Sequence, residues 1–141
     1  MTRERFLVYL NAMNNAQHDV MREFITDDIV LEFYDKPSLE KQTLKVLRGV
    51  DEYSAHFSRL HSRAKEHMEL GFCLFDGEVL LTEQYTEFRA LEDTVIQAGT
   101  LKKGQCFCNT NWLAYNFAPD GRFNRIRIAH FVCHDWEPKY V

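Results

Sequence analysis

Proline and glycine are scarce in this chain, three and six among 141 residues. That excludes collagen-like and low-complexity architectures and leaves few breakers to punctuate the elements. Cysteine is limited to four residues, none in a C-x-x-C pair, so no disulfide framework, zinc motif or redox motif is written here. Cys106 and Cys108 form C-x-C within a strand-like run, and all four thiols are expected reduced and mostly buried. No apolar run approaches the roughly 18 residues that span a membrane. Met1-Thr2-Arg3-Glu4-Arg5 leads into an amphipathic segment and not into a leader, so a cytoplasmic protein without a membrane partner is expected. Positive charge is in deficit, with 17 Lys and Arg against 21 Asp and Glu, which leaves no electrostatic footprint for nucleic acid. A Gly-rich phosphate loop, a G-x-S-x-G elbow and a dinucleotide fingerprint are all missing, so any chemistry is expected to run without a cofactor.

What is abundant is aromatic: 13% of the residues, including 11 Phe, which suits a lined cavity and a dense core equally. The length and the absence of linkers or repeats argue for a single domain over residues 1–141. Phe6, Leu7, Leu10 and Met13 mark one helical face; Val20, Met21, Phe24 and Ile25 mark a second, with Asn14-Asn15 as the turn between them. Thr26-Asp27-Asp28 ends that helix, and Ile29 to Tyr34 reads as a strand. Asp35 to Arg48 is polar, with a short strand possible over Thr43 to Leu47. Val50, Tyr53, Phe57, Leu60, Ala64 and Met68 then recur at helical spacing, behind Gly49 and the acidic pair Asp51-Glu52. After Gly71 the pattern turns to strands: Phe72 to Phe75, Glu78 to Leu91, Lys103 to Phe117 and Arg122 to His134. Turns at Asp76-Gly77 and Pro119-Asp120-Gly121 join them, and a loop separates the second from the third. Helices early and strands late predict an α+β fold: a curved, mostly antiparallel sheet wrapped around about three helices, a cone with an internal cavity.

The last strand reads Arg-Ile-Arg-Ile-Ala-His-Phe-Val-Cys-His. Alternation puts Ile126, Ile128, His130 and Val132 on one face, so His130 is an ionisable group among apolar neighbours. Taken alone it reads as a hydrogen-bonded core histidine. Glu83, Tyr85, Glu87, Asn109 and Asn111 interrupt neighbouring strands, and polar groups converging on one concavity point to a pocket. Glu83 and Glu87 lie four apart on one strand, roughly 13 Å, too far for the paired carboxylates of a glycosidase. Their face is open, toward the pocket or toward solvent and a dimer partner. His56, His61 and His67 are read on the third helix, with His56 at the edge of its apolar stripe and able to tip into the cavity. The spacings among the histidines do not make a metal site.

With these elements laid out, Phe6-Leu-Val-Tyr-Leu-Asn11, Met21 to Leu31, Arg48 to Phe57 and the hairpin from Asn111 to Phe131 resemble the nuclear-transport-factor-two-like superfamily. Within it they resemble the SnoaL-like polyketide cyclases and ketosteroid-isomerase-like proteins. In the isomerases a catalytic Tyr stands where this chain has Phe6, the base where it has Phe33, and a protonated Asp where it has Asn111, which still offers an amide donor. In the SnoaL-like cyclases an acid/base residue on the last strand matches His130. The resemblance implies a cofactor-independent isomerase, cyclase or dehydratase (a lyase) acting on a hydrophobic oxygenated small molecule, such as a polyketide or terpenoid intermediate. His130, Glu83, Glu87 and Asn111 are the catalytic candidates; Tyr85, Asn109, His56, Phe33 and Tyr9 are the binding candidates. A homodimer through the outer face of the sheet, with Trp112 and Phe88 in contact, is expected from the same resemblance. The rivals are a noncatalytic small-molecule binder and an interaction module of the same fold.

Overall fold

The computed structural model describes residues 1–34, 45–96 and 99–141. The elements run α1 (Arg3–Asn14), α2 (His18–Arg22), β1 (Ile25–Tyr34), β2 (Lys45–Arg48), α3 (Gly49–Arg63), β3 (Ala64–Phe75), β4 (Val79–Ala90), β5 (Thr94–Ile96), β6 (Gly99–Leu101), β7 (Cys106–Phe117) and β8 (Phe123–His134). Six strands form one sheet in the order β2-β1-β8-β7-β4-β3, antiparallel except for the β1–β8 pair; β5 and β6 form a separate two-stranded hairpin. The fold is therefore α+β, with three helices against one face of a mostly antiparallel sheet.

Apolar spacing explains the core. Phe6, Tyr9, Leu10 and Met13 of α1 are buried, as are Tyr53 and Phe57 of α3 and the alternate residues Ile29, Leu31 and Phe33 of β1. Tyr115 and Phe123 bring their rings to Phe6 and Tyr9 in edge contacts at centroid distances of 5.1–6.4 Å. Burying each such ring contributes roughly 1.5–3 kcal/mol. Asn14 ties the end of α1 to the sheet: its amide donates to the Met68 carbonyl at 2.9 Å and accepts from the Met68 N–H at 2.7 Å. Gly49, at φ +79°, turns the chain from β2 into α3, and the Glu52 carboxylate accepts the Arg48 N–H at 2.7 Å to cap that helix.

Four expectations change at element boundaries. Phe24 and Ile25 leave the second helix: Ile25 opens β1 opposite Phe123, whose N–H donates to the Phe24 carbonyl at 2.7 Å. The third helix stops at Arg63, and Ala64 and Met68 belong to β3, where they face Ala90 and Thr86. An i, i+4 pair satisfies both helical and strand periods, and here the free edge of β4 decides in favour of the strand. His67 is accordingly on a strand, with its ring stacked on Tyr140 at 4.2 Å. The segment between β4 and β7, expected as a loop, folds the β5–β6 hairpin. Of the strand considered over Thr43 to Leu47, Lys45 to Leu47 lie in β2, and Thr43 and Leu44 lie outside the described residues. The cysteines are free, and Cys108 alone of the four is buried; Cys133 is exposed.

Candidate active site

The parity of each strand decides which polar groups reach the concave side. In β4, Thr82, Gln84, Thr86 and Phe88 turn inward, so Glu83, Tyr85 and Glu87 turn outward. In β7, Asn109, Asn111, Leu113 and Tyr115 turn inward, and Ile126, Ile128 and His130 do so in β8. Beneath the helices this leaves a cavity of about 270 Å³. Its body is apolar, lined by Leu31, Phe33, Met68, Phe88, Phe107 and Leu113.

One polar row crosses the wall of this cavity. His130 stands directly opposite Asn111 in the β8–β7 ladder, and Asn111 directly opposite Gln84 in the β7–β4 ladder. Side chains paired in this way have Cβ atoms roughly 4.5–5.5 Å apart. The Asn111 amide donates to the Thr86 hydroxyl at 3.2 Å and accepts from the Asn109 amide at 2.6 Å, while Asn109 Oδ1 is buried with no partner among the described residues. Gln84 donates to Tyr115 Oη at 2.9 Å and to Thr82 Oγ1 at 3.0 Å. The β8 ladder slips by one residue immediately beyond this row: Asn111 faces His130 but Thr110 faces Val132, which makes Phe131 a bulge. Past the bulge parity reverses, so Val132 and His134 leave the face of His130, contrary to the simple alternation that puts them on it. His134 bonds Thr110 Oγ1 at 2.8 Å and stacks on Trp136.

The mouth carries His56, Lys45 and Phe33. His56 reaches the cavity from α3, with Lys45 Nζ 3.4 Å from its Nδ1. The Phe33 ring lies 5.4 Å from the His56 ring, 6.5 Å from the His130 ring, and under Lys45 Nζ at 5.0 Å. Burial first, then the neighbouring positive charges of Lys45 and Arg59, push His56 down to about 4, so its imidazole is neutral at physiological pH. Deeper in, Tyr9 and Tyr53 share a hydroxyl–hydroxyl hydrogen bond of 2.7 Å. Burial, reinforced by Tyr53, holds Tyr9 well above the ordinary tyrosine value, which keeps it a proton donor.

Glu83, Tyr85 and Glu87 are corrected: they lie on the convex face and are not brought to the cavity. Glu83 accepts from Trp112 Nε1 at 3.0 Å. Glu87 is buried under the C-terminal segment, accepting the N–H groups of Lys139 and Tyr140 at 2.7 Å each, that of Val141 at 3.2 Å, and the Tyr85 hydroxyl at 2.8 Å. Burial alone would raise the Glu87 carboxyl, but these donors together hold it below its usual value. Tyr85 also accepts from Trp136 Nε1 at 2.9 Å. The remaining predicted residues, His130, Asn111, Asn109, His56, Phe33 and Tyr9, sit on or directly behind the cavity wall. Phe6 is fully buried in the core.

Sequence reasoning missed Gln84, Thr86 and Glu66. For the first two the sequence carries a partial signal: Glu83, Glu87 and Arg89 put three charges on the odd-numbered face of β4, but Thr82, Gln84 and Thr86 make the even face polar as well, so the choice of inner face falls to the packed sheet. Glu66 lines the cavity from β3 and is held by His61 Nε2 at 2.9 Å, with both side chains 6% exposed. The apolar spacing of Ala64 and Met68 also fits a helix, which hides the strand parity that turns Glu66 inward. Among the described residues no three His, Cys, Asp or Glu side chains are grouped to hold a metal, and no helix is long and apolar enough to cross a membrane.

The sequence matches no protein-family model and no curated protein. The fold does match solved structures. The chain is similar to a protein from Jannaschia sp. CCS1 described as a SnoaL-like polyketide cyclase: 14% identity, TM-score 0.70, over 90% of this chain and 83% of that one. It is similar to SalBIII, an epoxide hydrolase/cyclase-like enzyme of pyran ring formation in the polyether salinomycin: 14% identity, TM-score 0.69, over 92% and 89%. It is also similar to RV0760c from Mycobacterium tuberculosis, solved with estradiol-17β-hemisuccinate: 10% identity, TM-score 0.67, over 86% and 87%. At these identities the shared property is the fold, the nuclear-transport-factor-two-like cone.

Proposed function

We propose that this protein is a cofactor-independent acid/base enzyme, an isomerase, cyclase or dehydratase, acting on a hydrophobic oxygenated small molecule. The observation that carries the reading is the cross-strand pairing of His130 with Asn111 on the wall of an apolar cavity. Abstraction of a proton beside a carbonyl needs a base with a pKa near working pH and a donor for the developing enolate oxygen. His130 supplies the base through its imidazole, which reaches the cavity wall beside Asn111. Asn111 supplies the donor: its amide carries two N–H groups and Thr86 takes one, leaving the other for the substrate oxygen. Gln84 and Tyr115 continue the polar row, and the apolar body of the cavity excludes water from the reacting carbon. The similarity to an epoxide hydrolase/cyclase-like enzyme and to a polyketide cyclase supports small-molecule chemistry of this class.

A probe for the reaction class is exchange of the α-protons of 2-tetralone in deuterated water, followed by proton NMR. The wild-type protein should accelerate exchange, and His130→Ala should reduce the acceleration by roughly 10²–10⁴-fold while circular dichroism stays native. Acceleration unchanged in a folded His130→Ala protein would overturn the assignment of the base. No acceleration by the wild type, with the ketone bound, would favour a noncatalytic binder.

The assembly is proposed as a homodimer through the convex face. Trp112 stacks on Phe131 at 4.6 Å and meets Phe72 edge-on, and Trp112 and Phe131 remain 39% and 61% exposed. Exposed aromatic clusters of this kind mark contact surfaces. Phe88, expected there as well, lines the cavity instead. Sedimentation as a monomer at tens of micromolar (on the order of the Kd of a weak complex) would remove this part of the proposal.

A further inference from the structure

We infer that the cavity selects an amphipathic anion, a molecule with an apolar body and a carboxylate or similar negative group held at the mouth by Lys45 and Arg59. The inference deepens the reading of the cavity as a small-molecule site and rests on it. The chain as a whole is acidic, at −4, yet the described residues that line the cavity include three cations, Lys45, Arg59 and Arg63, and one carboxylate, Glu66. A cleft edged with one sign of charge raises the local concentration of ligands of the other sign.

The placement of these charges is built by the helix. His56, Arg59 and Arg63 follow one another at i, i+3 and i+7 along α3, so they share the side of that helix turned to the cavity. Lys45 approaches the same mouth from β2, beside His56 and over the Phe33 ring. The one carboxylate is bonded to His61, and Arg63 is bound at 3.1 Å to Glu92, a half-exposed pair of little strength. Arg59 makes no ion pair with a carboxylate among the described residues. Burial is the main cause of the depressed His56, and the positive charges of Lys45 and Arg59 add to it, which places both cations within electrostatic reach of one ring at the mouth. With its charge between Lys45 and Arg59, such a ligand would lay its apolar body against Phe33, Leu113 and Met68 and place its interior along the His130–Asn111 row.

The test compares 2-naphthylacetic acid with its methyl ester, two ligands of the same ring body that differ in charge, by calorimetric titration at neutral pH. The acid should bind wild-type protein about tenfold more tightly than the ester, since contacts to two partly exposed cations are worth a few-fold each. Its advantage should shrink as ionic strength rises. The double variant Lys45→Gln/Arg59→Gln should bring the two affinities to within about twofold of each other. Equal affinities in the wild type would overturn the inference and leave the cavity reading standing. Binding of neither ligand to a folded wild type would count against the cavity as a small-molecule site, and the inference would fall with it.

Discussion

The two faces of the β4–β7–β8 sheet carry comparable numbers of polar groups and use them in opposite ways. On the convex face the carboxylates are held by hydrogen-bond donors from neighbouring side chains and from the C-terminal segment. Glu87 takes four donors, Glu83 takes Trp112, and Glu32 is gripped by Arg125 through two hydrogen bonds of 2.7 and 3.1 Å that hold its carboxyl below the usual range. On the concave face they are mostly neutral, with an amide row that keeps donor capacity in hand beside a histidine. A saturated carboxylate is anchored structure, whereas a half-satisfied amide facing a cavity is available to a ligand. On the proposed reading, the same strands separate stability from chemistry by parity.

The largest effect that can break this comparison is in turnover. In the ketone exchange assay His130→Ala should lose roughly 10²–10⁴-fold and Asn111→Leu roughly 10²–10³-fold, while Glu87→Gln, on the other face of the same sheet, should stay within about twofold. A loss in Glu87→Gln equal to that in His130→Ala, with both proteins folded, would erase the distinction between the faces.

Next in size is the anchoring of the C-terminal segment. Glu87→Gln leaves buried N–H groups with a weaker, neutral acceptor and should cost about 2–3 kcal/mol in urea unfolding. Trp136 fluorescence should shift with it, because Trp136 bonds Tyr85, which bonds Glu87. An unchanged unfolding midpoint would show that the tail contributes nothing to the fold.

The mouth of the cavity should show itself through pH. Folded His56 titrates at about 4 and an unfolded histidine near 6.5. Between those values the unfolded chain binds more protons, so this contribution to stability is complete above pH 6.5 and is lost as pH falls toward 4. The full loss is about 2 kcal/mol after allowance for partial exposure of the ring. His56→Gln should flatten this limb of the stability profile, and a variant that keeps the wild-type slope would show that another group carries it.

The smallest effect sharpens the comparison from the other side. Glu83→Gln keeps an acceptor for the half-exposed Trp112 indole and should change stability by no more than about 0.5 kcal/mol. A larger change would mean that the convex face is covered in solution, as the proposed dimer requires.

Local composition determined much of this protein without help. Alternation in β1 grouped Leu31 with Phe33, alternation in β8 grouped Ile126 and Ile128 with His130, and the Asp76-Gly77 and Pro119-Asp120-Gly121 turns located the hairpins, because these signals act within a few residues. The order of helices and strands was enough to define the cone. Three things were settled only by the packed chain. Residues 64–68 satisfy a helix and a strand equally, and pairing with β4 made them strand, which brought Glu66 into the cavity. The bulge at Phe131 reversed the parity of Val132 and His134, a slip that comes from ladder register and has no local marker. The face of Glu83 and Glu87 was open until the sheet curled, since a strand's alternation tells which residues share a side but not which side is inside. That last choice belongs to tertiary structure: only the closure of helices over one face makes it concave, dry and available for chemistry.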